Sequence, residues 1–273
     1  MPPSKYSPPG LLLIVWLLAA SAARVAGQDW ESTVTPAEPG SFPAPRSVRA
    51  QYGFGWNSIT AATGNVHFRQ AGERLEFDAT GGTIGFVKHL WNYQVTHRAT
   101  CEAQTLRPLE VREQETMRNQ QLTTVLTFTP QGVTSQREER KGSAVKTKIR
   151  TFDFPNVHGI NSAFLLLRSL PLTEGTVRRT VVYPSTSAYL CTITSLGRER
   201  ITLPPGSYDA LKLDVQIHRI GKQRELLPHK KLSKATVWLS DDSDRLVLRL
   251  EAHIFIGTVF AELQSVQFEN GNP

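Results

Sequence analysis

Residues Lys234–Val266, KATVWLSDDSDRLVLRLEAHIFIGTVFAELQSV, contain the clearest strand pattern in the chain. Between Arg245 and Ile254, apolar and polar side chains alternate with a period of two, which is typical of a strand with one buried and one solvated face. The run Asp241–Asp244 interrupts this pattern with residues that favour turns. Gly257 interrupts it again before the alternation resumes. The stretch therefore predicts three consecutive antiparallel strands.

The N-terminus has the pattern of an export signal. Lys5 lies in a short polar lead, Leu11–Ala20 is an apolar core, and the VAG of residues 25–27 fits the small-x-small cleavage rule. The core is about half of the ~20 residues that a membrane-spanning helix needs. No cysteine follows the core directly, so a lipoprotein is not expected. We predict a signal peptide over 1–27, cleaved near Gly27 or alternatively near Ala22, and a soluble exported chain without a stable membrane span.

The rest of the chain predicts a mainly β protein. Residues 28–46 contain four prolines and no periodicity, which predicts a flexible, extended lead. Residues 47–268 are expected to form a single domain of about a dozen antiparallel strands, and 269–273 a disordered tail. The strands should form a strongly curved sheet or an open barrel, with short helices near 83–91 and 160–169 covering its concave face. The first hairpin is expected to turn near the TGN of residues 63–65.

The formal net charge of +7 is spread along alternating strands. This pattern is typical of solvated strand faces, or of a surface that meets anionic lipid or polysaccharide. Aromatic residues do not interleave with the basic ones, so no nucleic-acid partner is expected. The densest basic cluster comprises Arg137, Arg140, Lys141, Lys146, Lys148 and Arg150.

The two cysteines have the strand parity of buried positions, and several aromatic residues are candidates for the interior. Cys101 and Cys191 are expected to be either two buried thiols or a disulfide, which an exported protein permits. A set of aromatic side chains is expected to be plain core or the lining of a ligand cavity. This set comprises Trp56, Trp91, Tyr93, Phe164 and Trp238.

No constellation in the sequence points to catalysis. There is no G-x-S-x-G nucleophile elbow. His89, His97 and Cys101 have metal-ligand chemistry, but their spacing matches no compact zinc pattern. The acidic turn at 241–244 lacks the glycine and the distant glutamate of a calcium loop. We therefore expect no catalytic residue, no metal and no cofactor, and a protein that is not an enzyme.

Several motifs carry a family resemblance. They are the SAFLLLR of residues 162–168, the PGSYDA of 205–210 and the VWLSDD of 237–242. On these motifs the chain resembles the exported bacterial proteins grouped as domain of unknown function 3108. The resemblance implies a periplasmic location in a double-membrane envelope, and it implies no assigned activity. Gly159 departs from it, because an acidic residue is expected before the helix.

Two functions remain open from the sequence. The first is a non-enzymatic carrier that binds a lipid or another apolar ligand on the concave face of its sheet. The second is a structural or assembly factor of the cell envelope, which acts through protein–protein contacts at its sheet edges or its basic outer face. An open concave face would favour the carrier, and a filled one the assembly factor.

Overall fold

The structure is a computed structural model that describes residues 30–57, 59–228, 234–254 and 257–269. The predicted signal peptide lies outside the described residues, as does the predicted tail except for Glu269.

The described ranges contain fifteen strands and two α-helices, with a short 3-10 turn at Glu31–Thr33. The helices are α1 (Gly85–Leu90) and α2 (Ile160–Ser169). The strands are β1 (Val48–Trp56), β2 (Ile59–Ala71), β3 (Arg74–Thr83), β4 (Tyr93–Glu102), β5 (Pro108–Met117), β6 (Gln120–Thr129), β7 (Gly132–Lys141), β8 (Ala144–Asp153), β9 (Val177–Val182), β10 (Tyr189–Leu203), β11 (Gly206–Ile220), β12 (Leu226–Pro228), β13 (Lys234–Ser240), β14 (Val247–Ile254) and β15 (Gly257–Phe268).

The strands form one antiparallel sheet. Its order is β8-β7-β6-β5-β4-β3-β2-β1-β15-β14-β13-β11-β10-β9, with β12 paired beside β11. Most neighbours are consecutive hairpins, and the pairing of β1 with β15 joins the two halves of the chain. The sheet is not closed, because β8 and β9 lie at opposite ends of this path. The predicted mainly β domain with two short helices is confirmed.

The two ends of the path nevertheless pack together. One buried cluster joins Val111 and Leu126, on β5 and β6, to Val181 and Leu190, on β9 and β10. A parallel bridge between His158 and Val182 carries the chain from β8 towards the β9 edge. Strands so distant in the sheet order can share a core only if the sheet curls on itself. The strong curvature predicted from the sequence is therefore present.

Helix α2 lies on the concave side of this curl. Leu165 packs with Phe68 and Leu75 on β2 and β3. Two residues on, Leu167 packs with Leu211 and Leu239 on β11 and β13. A helix with leucines on several faces is expected to be buried on several sides. The helix thus fills the space between the two halves of the sheet.

Helix α1 does not cover the concave face, and that part of the prediction was wrong. None of its six residues is buried, and Phe86 is 74 % exposed. The reason is topological, because β3 and β4 are paired neighbours. A short connection between paired neighbours stays at the end of its hairpin.

The predicted first turn at 63–65 was also wrong, because these residues lie inside β2. The chain turns instead between Trp56 and Ile59, which pair with each other. Gly64 is explained by a close approach, since a Cβ there would lie 3.0 Å from the ring of Phe54. Glycine permits close packing inside a strand as well as turns.

The lead was expected to be flexible, but residues 30–46 pack on the domain. Trp30 is 7 % exposed and stacks on Phe154 with ring centroids 5.6 Å apart. The Thr35 N–H donates to the Arg179 carbonyl at 2.9 Å, and the Gly40 N–H donates to the Ser169 hydroxyl at 3.0 Å. Proline-rich chain forms no internal hydrogen bonds, so its backbone groups are free to bond elsewhere. The ordered domain therefore includes this segment.

Candidate functional site

The concave interior is closed at the C-terminal end of α2 by a buried arginine. Arg168 is 7 % exposed, and burial followed by the nearby Arg245 lowers its pKa to about 10. Its guanidinium donates to three backbone carbonyls, those of Pro43 at 2.9 Å, Ser243 at 3.0 Å and Asp244 at 3.2 Å. A buried charge is tolerated when its donors are bonded in this way. Arg168 thus ties the helix to the lead and to the β13–β14 turn.

Arg245 completes the same junction. It donates to the carbonyls of Arg168 at 2.6 Å and Leu170 at 2.7 Å, at the end of α2. Cations are favourable at a helix C-terminus, where carbonyls lack partners within the helix. The guanidinium also lies 3.5 Å from the ring centroid of Phe42 in the lead. The two arginines therefore have a structural role.

The acidic turn at 241–244 is held by contacts within the protein. The Asp242 carboxylate accepts from the Ser240 hydroxyl at 2.7 Å and from two backbone N–H groups of the same turn. Across the described ranges, no group of three or more His, Cys, Asp and Glu side chains is arranged to hold a metal ion. The other two carboxylates form ion pairs, Asp241 with Arg198 and Asp244 with Arg46.

The histidines considered from the sequence have separate environments. His97 bonds Glu113 through Nδ1 at 3.1 Å and Asn161 of α2 through Nε2 at 2.9 Å. Burial opposes the charged ring, but these two hydrogen bonds outweigh it and raise the pKa of His97. His89 lies on the exposed helix α1. His97 thus joins β4 to the start of α2.

Both cysteines are free thiols. Cys101 is buried with Phe68 and Leu75, whereas Cys191 packs against the cluster around Leu211. Burial raises the pKa of each thiol to about 12. The disulfide alternative is not formed in the structure, because the two side chains belong to different parts of the core.

The five aromatic residues proposed from the sequence do not line one cavity. Trp238 is buried and its Nε1 donates to the Glu199 carboxylate, and Phe164 packs against the cluster around Leu211. The Tyr93 hydroxyl donates to Glu115 at 2.9 Å. Trp56 and Trp91 are 43 % and 50 % exposed. The sequence pattern could not separate core from surface here, because Trp56 ends β1 and Trp91 lies in the connection between α1 and β4.

The space beside α2 is small. A void of about 250 Å³ lies between the lead, β2, β3, the connection from β4 to β5 and α2, with Phe42, Leu75 and Leu165 in its lining. Sites for drug-sized ligands usually enclose ~300–1,000 Å³. A larger groove, about 700 Å³, lies along β15, β1, β2 and β3, and polar residues including Arg49, His67 and Asp78 line it.

Strand β8 presents the most accessible basic surface. Nine of its ten residues are exposed, and only Phe152 is partly buried. Lys146, Lys148 and Arg150 share one face, beside Arg137 and one carboxylate of β7, around a groove of about 250 Å³. The sequence located this basic cluster but not its position at the sheet edge. The sequence did contain a signal, because β8 has few large apolar residues and so offers little surface to the core.

The two end strands of the sheet, β8 and β9, differ in how far other parts of the chain cover their outer backbone edges. At β9, the lead and residue 158 bond the outer edge, with the Thr35 N–H donating to the Arg179 carbonyl and the His158 N–H to the Val181 carbonyl. Strand β8 pairs with β7, and no other strand in the described ranges pairs with it. Near its end, the Arg150 side chain donates to the Thr186 carbonyl. The backbone edge of β8 before that point is uncovered by any described strand.

Comparison with a solved structure of similar architecture supports the fold, and two further solved structures match the chain at lower TM-scores. A β-barrel-like protein of domain of unknown function DUF1849 from Brucella abortus has a TM-score of 0.56 at 7 % identity, over 83 % of this chain and 99 % of that one. A candidate exported protein with a YmcC-like fold from Bacteroides fragilis has a TM-score of 0.35 at 7 % identity, over 84 % and 99 %. A candidate lipoprotein from Parabacteroides distasonis has a TM-score of 0.33 at 7 % identity, again over 84 % and 99 %.

No curated protein matches the chain. In the described part of the chain, no helix has both the length and the hydropathy needed to cross a bilayer. The family model described as "Protein of unknown function (DUF3108)" matches residues 49–264, which is most of the chain. The chain therefore belongs to the DUF3108 family.

Proposed function

We propose that this is an exported, periplasmic, non-enzymatic assembly factor of the cell envelope, which binds an acidic extended segment of a partner protein along β8. The observation that carries the proposal is the difference between the two sheet ends. The β9 edge is bonded by the lead and residue 158, whereas β8 is exposed along its length and pairs with β7. An exposed strand edge is a template on which another strand can pair.

The filled interior supports this function over that of a lipid carrier. Leu165 and Leu167 of α2 contact opposite halves of the sheet, and the void beside the helix is about 250 Å³. An acyl chain or comparable ligand would have to displace the helix from its core contacts. The ligand-carrier alternative is therefore the weaker of the two.

The backbone of β8 is suitably arranged for pairing. Lys141 and Ala144 pair across a two-residue turn in which Gly142 has a φ of +58°. In such a hairpin the closing pair is hydrogen-bonded, and bonded and non-bonded pairs then alternate. Counting from Ala144, the N–H and C=O groups of Val145, Thr147 and Ile149 point away from β7. These groups would bond the incoming strand.

The side chains set the charge of the partner. The groove along β7 and β8 has four cations, Arg137, Lys146, Lys148 and Arg150, against one carboxylate, Glu139. A second copy of β8 paired antiparallel would place lysines opposite lysines, and like charges directly opposite are destabilising. An acidic partner strand would instead form cross-strand ion pairs. The charge therefore favours a different protein over self-association.

Export and the periplasmic location rest on the sequence. The apolar core at Leu11–Ala20 and the small residues at 25–27 form the signal pattern that supports export, and the periplasm is what the family resemblance implies for such a chain. An envelope partner would then be encountered after translocation.

Site-specific photocrosslinking tests the proposal. A photoreactive amino acid replaces Thr147 in cells, and the adducts are mapped by mass spectrometry. The experiment is repeated in three variant backgrounds of the same protein. The first combines Lys146→Glu with Lys148→Glu, the second is Val145→Pro, which removes an outward N–H, and the third is the exposed control Lys222→Glu. The proposal predicts adducts to an acidic segment of an envelope protein, which the first two backgrounds abolish and the control retains.

Two results would overturn the proposal. One is an adduct that survives both β8 backgrounds, since contact would then not depend on the edge. The other is crosslinking between two copies of this chain alone. Circular dichroism and the thermal midpoint of each variant confirm that loss of adducts does not reflect unfolding.

A further inference from the structure

A second surface lies away from the outer edge of β8, at the strand ends around α1. Seven of the thirteen large apolar side chains that are exposed in the described ranges belong to it. Phe86 is 74 % exposed, Ile59 61 %, Leu90 58 % and Trp91 50 %. The remaining three members are Phe54, Trp56 and Ile84. We call these seven residues the apolar turn surface.

The register makes this surface continuous. Trp56 pairs with Ile59 across the β1–β2 turn, and the Ile84 N–H donates to the Ala61 carbonyl on β2 at 3.0 Å. The rings of Trp91 and Tyr93 are 5.4 Å apart. The seven residues thus occupy adjacent connections at one end of β1 to β4. Exposed apolar clusters of this kind mark interaction sites.

Basic side chains border the surface. Lys88 lies on α1 itself, and Arg118 in the β5–β6 turn donates to the Leu90 carbonyl at 2.9 Å. Lys141 lies at the end of β7, in one groove with Trp91 and Arg118. Residues 56–59, 83–93, 117–120 and 141–144 contain no Asp or Glu. This end of the sheet is therefore positively charged as well as apolar.

We propose that the apolar turn surface docks this protein on an anionic phospholipid bilayer. Aromatic rings on protruding turns can enter the headgroup region, where tryptophan is favoured because one part of its ring is apolar and one polar. The three cations would meet lipid phosphates, each contributing about a factor of five in affinity. This docking is independent of the partner strand proposed for β8, because different residues carry it.

The geometry favours a bilayer over a protein partner. The apolar groups lie on turns and strand ends, and none of the six α1 residues is buried. An extended protein partner that adds a strand would instead require an unpaired strand edge, as at β8. Helix α1 is short and exposed, so the side chains of Phe86 and Leu90 are accessible to lipid.

Vesicle co-sedimentation of the full mature chain tests the proposal. The vesicles are phosphatidylethanolamine with phosphatidylglycerol, and phosphatidylcholine alone serves as the neutral surface. We expect binding to the anionic vesicles, and a loss of at least about tenfold in the triple variant Phe86→Ser, Leu90→Ser, Trp91→Ser. Replacing the cations with Lys88→Gln, Arg118→Gln and Lys141→Gln should cost about a hundredfold and make residual binding insensitive to salt.

The matched control removes exposed apolar groups elsewhere. Val177, Leu196 and Leu227 are 49 %, 47 % and 36 % exposed, and their replacement by serine should leave binding unchanged. Brominated lipid should quench tryptophan fluorescence in the unmodified chain because Trp91 enters the bilayer. The proposal is overturned if the anionic vesicles are not bound, or if the control variant loses as much binding as the triple variant. It is also overturned if Phe86→Ser, Leu90→Ser, Trp91→Ser abolishes only self-association.

Discussion

The packing of α2 can be tested by removing Leu165. This side chain is 3 % exposed and belongs to a cluster with Phe68, Leu75 and Cys101. Leu→Ala at such sites costs the transfer free energy of the lost carbons and a cavity term, together ~2.7–5 kcal/mol. Because Leu165 already lines the void beside α2, its side chain is less completely packed than a fully enclosed leucine, so we expect Leu165→Ala to lower the free energy of unfolding by about 3 kcal/mol, near the lower end of that range.

Ile160→Ala is the matched control, because Ile160 lies on the same helix and is 48 % exposed. It should change the free energy of unfolding by less than about 1 kcal/mol, since alanine has the better helix propensity. Urea unfolding followed by tryptophan fluorescence measures both. For Leu165→Ala the midpoint should fall by about 1 M or more at an unchanged slope. Equal costs for the two variants would refute the packing of α2 between the two halves of the sheet.

Three further predictions concern other buried groups. Burial lowers the pKa of His158 from 6.5 to about 4, so below pH 6.5 the unfolded chain binds a proton that the folded chain binds only near pH 4. The free energy of unfolding should therefore fall by about 3 kcal/mol across that window. In urea titrations, His158→Gln should remove this part of the pH dependence. Trp30→Ala should cost about 3–5 kcal/mol and expose the lead to protease, whereas a freely flexible lead would show neither effect. Cys101 and Cys191 should resist iodoacetamide in the folded protein at pH 8, and both should react after unfolding without reductant. If a disulfide joined them, neither thiol would react in the unfolded protein until a reductant was added.

Much of the sheet could be predicted because period-two alternation is a local property of the chain. The Lys234–Val266 stretch contains β13, β14 and most of β15, with the acidic turn where expected. Helix α2 was also predicted, over 160–169, because the proline after its end and its apolar residues are local signals. The family resemblance was confirmed over residues 49–264.

The parts that could not be predicted depend on contacts between distant residues. The lead is ordered because Trp30 meets Phe154 and Phe42 meets Arg245, and no local pattern in residues 28–46 indicates those partners. Gly64 resembles a turn residue, yet it is inside β2 to make room for the Phe54 ring. The site on β8 could not be predicted for the same reason, because the position of a strand at the sheet edge and the exposure of its side chains follow from the order of strands in the folded sheet. The basic residues of β8 were identified from the sequence, but their place at an uncovered edge was not.

Native mass spectrometry of the mature protein, purified from its own cells and then extracted with organic solvent, tests whether α2 fills the concave face. The Phe86→Ser, Leu90→Ser, Trp91→Ser variant is measured beside the unmodified chain, so that lipid held at the apolar turn surface is distinguished from lipid in the interior. We predict for this variant a mass equal to the polypeptide alone, with no lipid in its extract. A reproducible extra mass that extracts as lipid from this variant would contradict the filled interior, because such a ligand would have to occupy the space assigned to α2.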